Sequence, residues 1–237
     1  MAERLVIDRR PVGLSRPPDR LVVFFHGFMT TPTAYRKVLG ALVDEGTVVV
    51  APRMYRPGPA VLAGRPTATQ EAAVGASIVD ELRRSYDPAE LWLAGHSRGG
   101  QVAWIVAGDT TPDGLIVVDP VDGGGPKATR LNATATPAKF ESRTLVIGAG
   151  RGGRCAPDSV NHNHFAAAAP LGATHVVVAE MGHADLLDDR ARRAARLLCH
   201  GHDHPDLARQ TVIELMRAFL HGVLPPSATT PVVFDVR

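Results

Sequence analysis

Leu91-Trp92-Leu93-Ala94-Gly95-His96-Ser97-Arg98-Gly99-Gly100 begins as an apolar run, breaks at a serine flanked by glycines, and continues into a segment of helical character from Ser97 to Ala107. A strand, a sharp turn and a helix in that order are the setting in which the pattern G-x-S-x-G has meaning. The glycines have a steric purpose, because the turn at Ser97 is so tight that side chains at 95 and 99 would collide with neighbouring backbone. Ser97 is thereby presented at the carboxyl end of its strand.

Further runs of the same kind lie on both sides: Leu21 to Phe25, Thr47 to Ala51, Leu115 to Val118, Thr144 to Gly148 and His175 to Ala179, with Leu5 to Ile7 as an edge strand. Their apolar residues are continuous rather than alternating, which suits strands covered on both faces. Helical segments fall between and after them at Thr33 to Glu45, Thr69 to Tyr86, Ala184 to Cys199 and Pro205 to Leu220. In the last, Leu207, Val212, Leu215, Met216 and Phe219 lie near a 3.6-residue period and make one apolar face. Alternating strands and helices predict an α/β fold, a mostly parallel doubly wound sheet with helices on both faces and no large lid domain. The 237 residues are read as one domain, 1–237, with a loose Pro-rich tail over 225–237. Loops at Pro52 to Ala68, Asp119 to Ser142 and Gly148 to Pro170 follow strands and are the expected pocket walls.

Apolar residues at 45% and charged residues at 21% are those of a globular chain and exclude a disordered or fibrous one. The net charge of +2 comes with no basic run, so nucleic acid is not an expected partner. No stretch approaches the ~20 apolar residues of a membrane span, and the first ten residues do not read as a secretory leader. A cytoplasmic protein without a stable membrane anchor is the expectation. Cys155 and Cys199 are expected as two buried free thiols, with a disulfide as the alternative.

A serine hydroxyl becomes a useful nucleophile only when a base takes its proton and a third group holds that base. His183, in Met181-Gly182-His183 just after the last internal strand, is the candidate base. The loop where the acid would most often lie reads Gly148-Ala149-Gly150-Arg151-Gly152-Gly153 and has no carboxylate. Asp119, directly after Leu115 to Val118, is the choice, with Asp122 and Asp158 in reserve. An oxyanion needs preorganised donors. The backbone N–H groups of Arg98 and of Phe28, in His26-Gly27-Phe28, are the candidates. Met29, Tyr55, Val61, Leu62, Phe140 and Phe165 are expected to line an apolar pocket, on their loop positions. His162 with His164, and His200, His202 and His204, match no zinc signature, so no metal site is expected.

Extended to Gly95-His96-Ser97-Arg98-Gly99-Gly100, the turn resembles the serine motif of chlorophyllases, a branch of the α/β-hydrolase superfamily. Val118-Asp119-Pro120-Val121-Asp122-Gly123 is similar to a second stretch of that family. So are Cys155-Ala156-Pro157 followed by Val160-Asn161-His162 and Phe165, and Gly182-His183-Ala184-Asp185-Leu186-Leu187-Asp188-Asp189. The resemblance spans roughly Leu21 to Leu220 and implies a triad of Ser97, Asp119 and His183 working without a cofactor. It also implies cleavage of the phytyl ester of chlorophyll to chlorophyllide and phytol. The Arg- and Ala-rich composition suggests a bacterial member. A general lipase, cutinase or polyester hydrolase is the near alternative, and a non-catalytic ligand sensor on the same fold the more distant one.

Overall fold

A computed structural model of the chain describes residues 3–10, 16–56, 58–62, 66–123, 132–196, 199, 205–223 and 232–236, with the side chains of 61 and 232–236 excepted. Its strands are β1 (Arg4–Ile7), β2 (Arg20–Phe25), β3 (Thr47–Pro52), β4 (Glu90–His96), β5 (Gly114–Val118), β6 (Arg143–Arg151), β7 (Thr174–Gly182) and β8 (Val232–Val236). They form one sheet in the order β1-β3-β2-β4-β5-β6-β7-β8. The six inner strands are parallel, and β1 and β8 close the two edges antiparallel. The helices are α1 (Arg36–Leu42), entered through a 3₁₀ turn at Pro32–Tyr35, α2 (Pro59–Leu62), α3 (Ala68–Tyr86), α4 (Arg98–Thr110), α5 (His162–Ala168), α6 (Asp189–Ala195) and α7 (Pro205–Leu220).

Successive residues of a strand point to opposite faces, and the core divides accordingly. Val22 and Phe24 join Val49, Ile116, Leu145 and Val176 in the layer under α1 and α7. Leu21, Val23 and Phe25 join Val48, Leu93, Val117 and Val146 in the layer under α3 and α4. Each large side chain so buried contributes about 2 kcal/mol. This two-sided burial is why the strands read as unbroken apolar runs in the sequence. A Thr67–Gln70 capping box starts α3: the Gln70 N–H donates to the Thr67 hydroxyl and the Thr67 N–H to the Gln70 side chain.

Three expectations change. The loose tail fails at Val232–Val236, which pairs with β7 from Thr174↔Val236 to Val178↔Val232; a Val-Val-Phe-Asp-Val run suits the open edge of β7, whose backbone groups need partners. The stretch read as loop between Gly148 and Pro170 contains α5, capped by the Asn161 side chain, which accepts from the Asn163 N–H. Cys155 and Cys199 are not free thiols but a disulfide with Cα atoms 5.4 Å apart. It ties the loop before α5 to the segment after α6. The two residues are 44 apart in sequence, and closing a loop of that size is worth about 4 kcal/mol in the chain-entropy account. Reduction with dithiothreitol is therefore expected to lower Tm by roughly 8–16 °C for a domain of this length; an unchanged melting curve would contradict it.

Candidate active site

Ser97 occupies the turn between β4 and α4 with φ 56° and ψ −125°, a backbone conformation that L residues rarely adopt. A Cβ on Gly95 would overlap the Gly99 backbone, and one on Gly99 would overlap the Phe25 carbonyl. Glycine is thus required on both sides for the serine to sit where it does. The sheet ladder continues into the turn, with the Ser97 N–H donating to the Val118 carbonyl at 3.1 Å.

The His183 imidazole spans the space between Ser97 and Asp119. Its Nε2 lies 2.9 Å from Ser97 Oγ and its Nδ1 2.6 Å from Asp119 Oδ2. Nδ1 therefore carries the proton and donates to the carboxylate, leaving Nε2 as the acceptor for the serine hydroxyl. Asp119 is fully buried, and its Oδ1 accepts from the Ala149 N–H at 3.1 Å. Burial pushes the carboxyl pKa up, but the hydrogen bond and charge of His183 outweigh it and the net shift is downward. The glycine-rich segment that lacks a carboxylate thus serves Asp119 through its backbone instead. His183 is itself held on a turn: the Gly182 N–H donates to Asp185 Oδ2, and the buried Arg209 of α7 donates to the carbonyls of Asp185 and Leu187.

The reserve acids have other occupations. Asp122 is buried and accepts from the Gln101 side chain, the N–H groups of Asn132, Ala133 and Thr134, and the Thr134 hydroxyl, which organises the loop after β5. Asp158 accepts from the Asn161 side chain. Among the described residues neither is hydrogen-bonded to His183, whose ring bonds Asp119 and Ser97.

Arg98 N–H and Phe28 N–H are engaged by no backbone carbonyl among the described residues. The Arg98 side chain is buried, forms a two-pronged ion pair with Glu71 at 3.0 Å, and donates to the Pro66 carbonyl. Its guanidinium lies 5.7 Å from the Phe28 ring centroid and 6.0 Å from that of Tyr55. Sequence reasoning missed Glu71, although a carboxylate among Ala68, Ala72, Gly75, Val79 and Leu82 on the buried side of α3 is a visible anomaly.

Of the expected pocket residues, Met29 and Leu62 are exposed and Tyr55 is buried beside His26. The Val61 side chain lies outside the described residues. Phe140 and Phe165 are corrected: both pack edge-on against Trp104, at 5.0 and 5.2 Å between centroids, inside the core under α3 and α4. Phe165 is carried there by α5. A cleft of about 550 Å³ lies against the carboxyl-terminal part of β6 and Val177 of β7, walled by Ala149, Gly150, Asp158, Asn161 and His162. Among the described residues no three His, Cys, Asp or Glu are grouped to hold a metal ion, and no helix is long and apolar enough to cross a membrane. His162 shares a hydrogen bond with His175, and His164 donates to the Asp158 carbonyl; His200, His202 and His204 lie outside the described residues.

Two buried histidines missed by sequence reasoning flank the site. Burial lowers the pKa of His26 from 6.5 to about 4, and burial followed by the nearby His183 lowers that of His96 to about 3. Between these values and 6.5 the unfolded chain binds protons that the folded chain does not, so stability rises with pH across that window. Urea midpoints are expected to be level above about pH 6.5 and to fall steadily from there toward pH 4; a flat profile over that range would contradict the burial of neutral imidazoles.

A model of the chlorophyllase family matches residues 18–230. Chlorophyllase-2 of Arabidopsis thaliana is 30% identical over 240 residues, covering 85% of this chain and 74% of the relative. Chloroplastic chlorophyllase-1 of Citrus unshiu is 28% identical over 241 residues, covering 89% and 71%. Among solved structures, an α/β serine hydrolase without a lid from Xanthomonas campestris superposes with a TM-score of 0.50 at 19% identity, over 66% of this chain and 69% of that one. A Thermus thermophilus protein gives 0.55 at 19%, over 70% and 82%. These two share the fold. On the family match, over most of its length, the chain belongs to the chlorophyllase family and is a carboxylic-ester hydrolase with the α/β-hydrolase fold.

Proposed function

We propose that the protein hydrolyses the phytyl ester of chlorophyll, with Ser97 as nucleophile, His183 as general base and acid, and Asp119 as the carboxylate that orients it. The observation that carries this reading is the unbroken line Ser97 Oγ, His183, Asp119 at 2.9 and 2.6 Å in a chain of this family. His183 Nε2 takes the serine proton as Oγ attacks the propionate ester carbonyl. The tetrahedral oxyanion is held by the N–H groups of Phe28 and Arg98. His183 then returns the proton to the departing phytol, and water, activated by the same imidazole, releases chlorophyllide from the acyl-enzyme. No cofactor takes part.

The cytoplasm expected from the sequence stays the proposed location. The Cys155–Cys199 disulfide weighs against it, because cytosolic pools keep thiols reduced; thiol trapping in fractionated cells tests it, and an oxidised pair in the native protein would overturn the cytoplasmic location. The substrate is tested by incubating the protein with detergent-dispersed chlorophyll a and, separately, a short-chain nitrophenyl ester. Chlorophyllide and phytol are the expected products. Nitrophenyl turnover without chlorophyllide would keep the triad and move the substrate to other hydrophobic esters, whereas no turnover of either would favour a ligand sensor.

A further inference from the structure

The peptide joining Gly27 to Phe28 is gripped at every point except the one N–H assigned above to the oxyanion. Its carbonyl oxygen accepts from the Tyr55 hydroxyl at 2.8 Å, the Thr30 hydroxyl at 2.7 Å, the Thr30 N–H at 3.3 Å and His26 Nδ1 at 3.0 Å. The donor role of His26 Nδ1 is forced, because Nε2 of that ring accepts from the Met54 N–H at 3.1 Å. A trans peptide is planar, so the N–H of Phe28 points opposite to the pinned carbonyl. Donors gathered on the oxygen also polarise the amide and strengthen that N–H as a donor.

The preceding N–H, of Gly27, donates to the Tyr35 hydroxyl at 3.0 Å. Tyr35 in turn lies 2.9 Å from His96 Nδ1, and His96 Nε2 lies 2.9 Å from the carbonyl of His183. A carbonyl only accepts, so Nε2 bears the proton, Nδ1 accepts, and the Tyr35 hydroxyl donates to it. Tyr35 and His96 are both buried, and their pKa values, pushed to about 12 and about 3, keep both neutral and this direction of bonding intact across the working pH range. Gly27 is packed so closely here that a Cβ would meet the Tyr35 hydroxyl at 2.9 Å and His96 Nδ1 at 3.2 Å.

We propose that Tyr35 and Tyr55 are positioning residues of the oxyanion site. Tyr55 aims the Phe28 N–H by fixing the far end of its peptide, and Tyr35, through His96, ties the preceding peptide, His26–Gly27, to the backbone of the base, His183. Neither tyrosine is assigned contact with substrate; the pair sets the distance between the donor that receives negative charge and the imidazole that moves the proton. The inference rests on the triad and oxyanion assignments proposed above.

The test uses Tyr35→Phe and Tyr55→Phe, which keep both rings and remove only the hydroxyls. Active sites are titrated with a fluorophosphonate so that kcat on a nitrophenyl ester is counted per competent site. Each variant is expected to lose about 10- to 100-fold in kcat per site, below the roughly 10²- to 10³-fold of removing an oxyanion donor outright because the donor is misaimed and not lost, with KM within about threefold. The Ki of an alkyl trifluoromethyl ketone, whose serine adduct carries the oxyanion, is expected to rise by the same factor as kcat/KM falls. A purely structural role would reduce the number of titratable sites and leave kcat per site and Ki unchanged. Values within twofold of the wild type in both variants, beside an inactive Ser97→Ala, would overturn this inference alone; an active Ser97→Ala would overturn the triad beneath it. Should Tyr35→Phe give no titratable protein, Tyr55→Phe at the rim of the network decides by the same readings.

Discussion

Ser97→Ala is expected to lower kcat for ester cleavage by roughly 10⁴- to 10⁶-fold while the protein folds and binds substrate as before. Alanine keeps the Cβ, so the packing of the turn against Gly95 and Gly99 is unchanged and only the oxygen 2.9 Å from His183 Nε2 is lost. Residual turnover would come from the oxyanion donors and binding alone, which is why the loss has a floor. Steady-state kinetics normalised to total folded protein measure it, and a variant within tenfold of the wild type would show that Ser97 is not the nucleophile.

Asp119→Asn is expected to cost about 10³- to 10⁴-fold in kcat, because it reverses the imidazole rather than removing it. The Ala149 N–H bonded to Asp119 Oδ1 decides the outcome. An asparagine would turn its carbonyl oxygen to that N–H and its amide NH₂ to His183 Nδ1. Nδ1 would then have to accept, the ring proton would move to Nε2, and the serine hydroxyl would face a donor in place of a base. The substitution is otherwise mild: Asp119 has φ 40°, a left-handed conformation that Asn tolerates as well as Asp does. A Tm close to the wild type with kcat down by three to four decades is the expected pair of results; loss of both together would instead assign Asp119 to the fold.

The elements legible in the sequence are those whose local pattern and final environment agree. Leu91 to Ala94 is a strand by composition and sits at the centre of the sheet, so its boundary fell within two residues, and Ser97 followed from it. Asp119 and His183 were legible for a related reason, since both lie immediately past the carboxyl ends of strands, where side chains of a parallel sheet converge. Phe140 and Phe165 misled because a loop position on the sequence was equated with a pocket wall, whereas α5 and the chain before β6 fold back onto Trp104. Cys155 and Cys199 could not be paired from spacing, which carries no information about two loops meeting in space. Tyr35 was hidden for the opposite reason: an aromatic residue in a helical segment is ordinarily core, and it is core, with only its hydroxyl doing something further.

The sheet ladder does not stop short of the residues proposed to carry the chemistry. The N–H of Ser97 donates to the Val118 carbonyl and that of Asp119 to the Ile147 carbonyl at 2.6 Å, so the proposed nucleophile and acid are the last rungs of β4, β5 and β6. Opening either rung means parting central strands that are covered on both faces, which belong to the slowest-exchanging, globally unfolding unit of a protein rather than to its fraying margins. Ser97 and Asp119 are therefore expected to keep their places under heat or denaturant until the central strands themselves part.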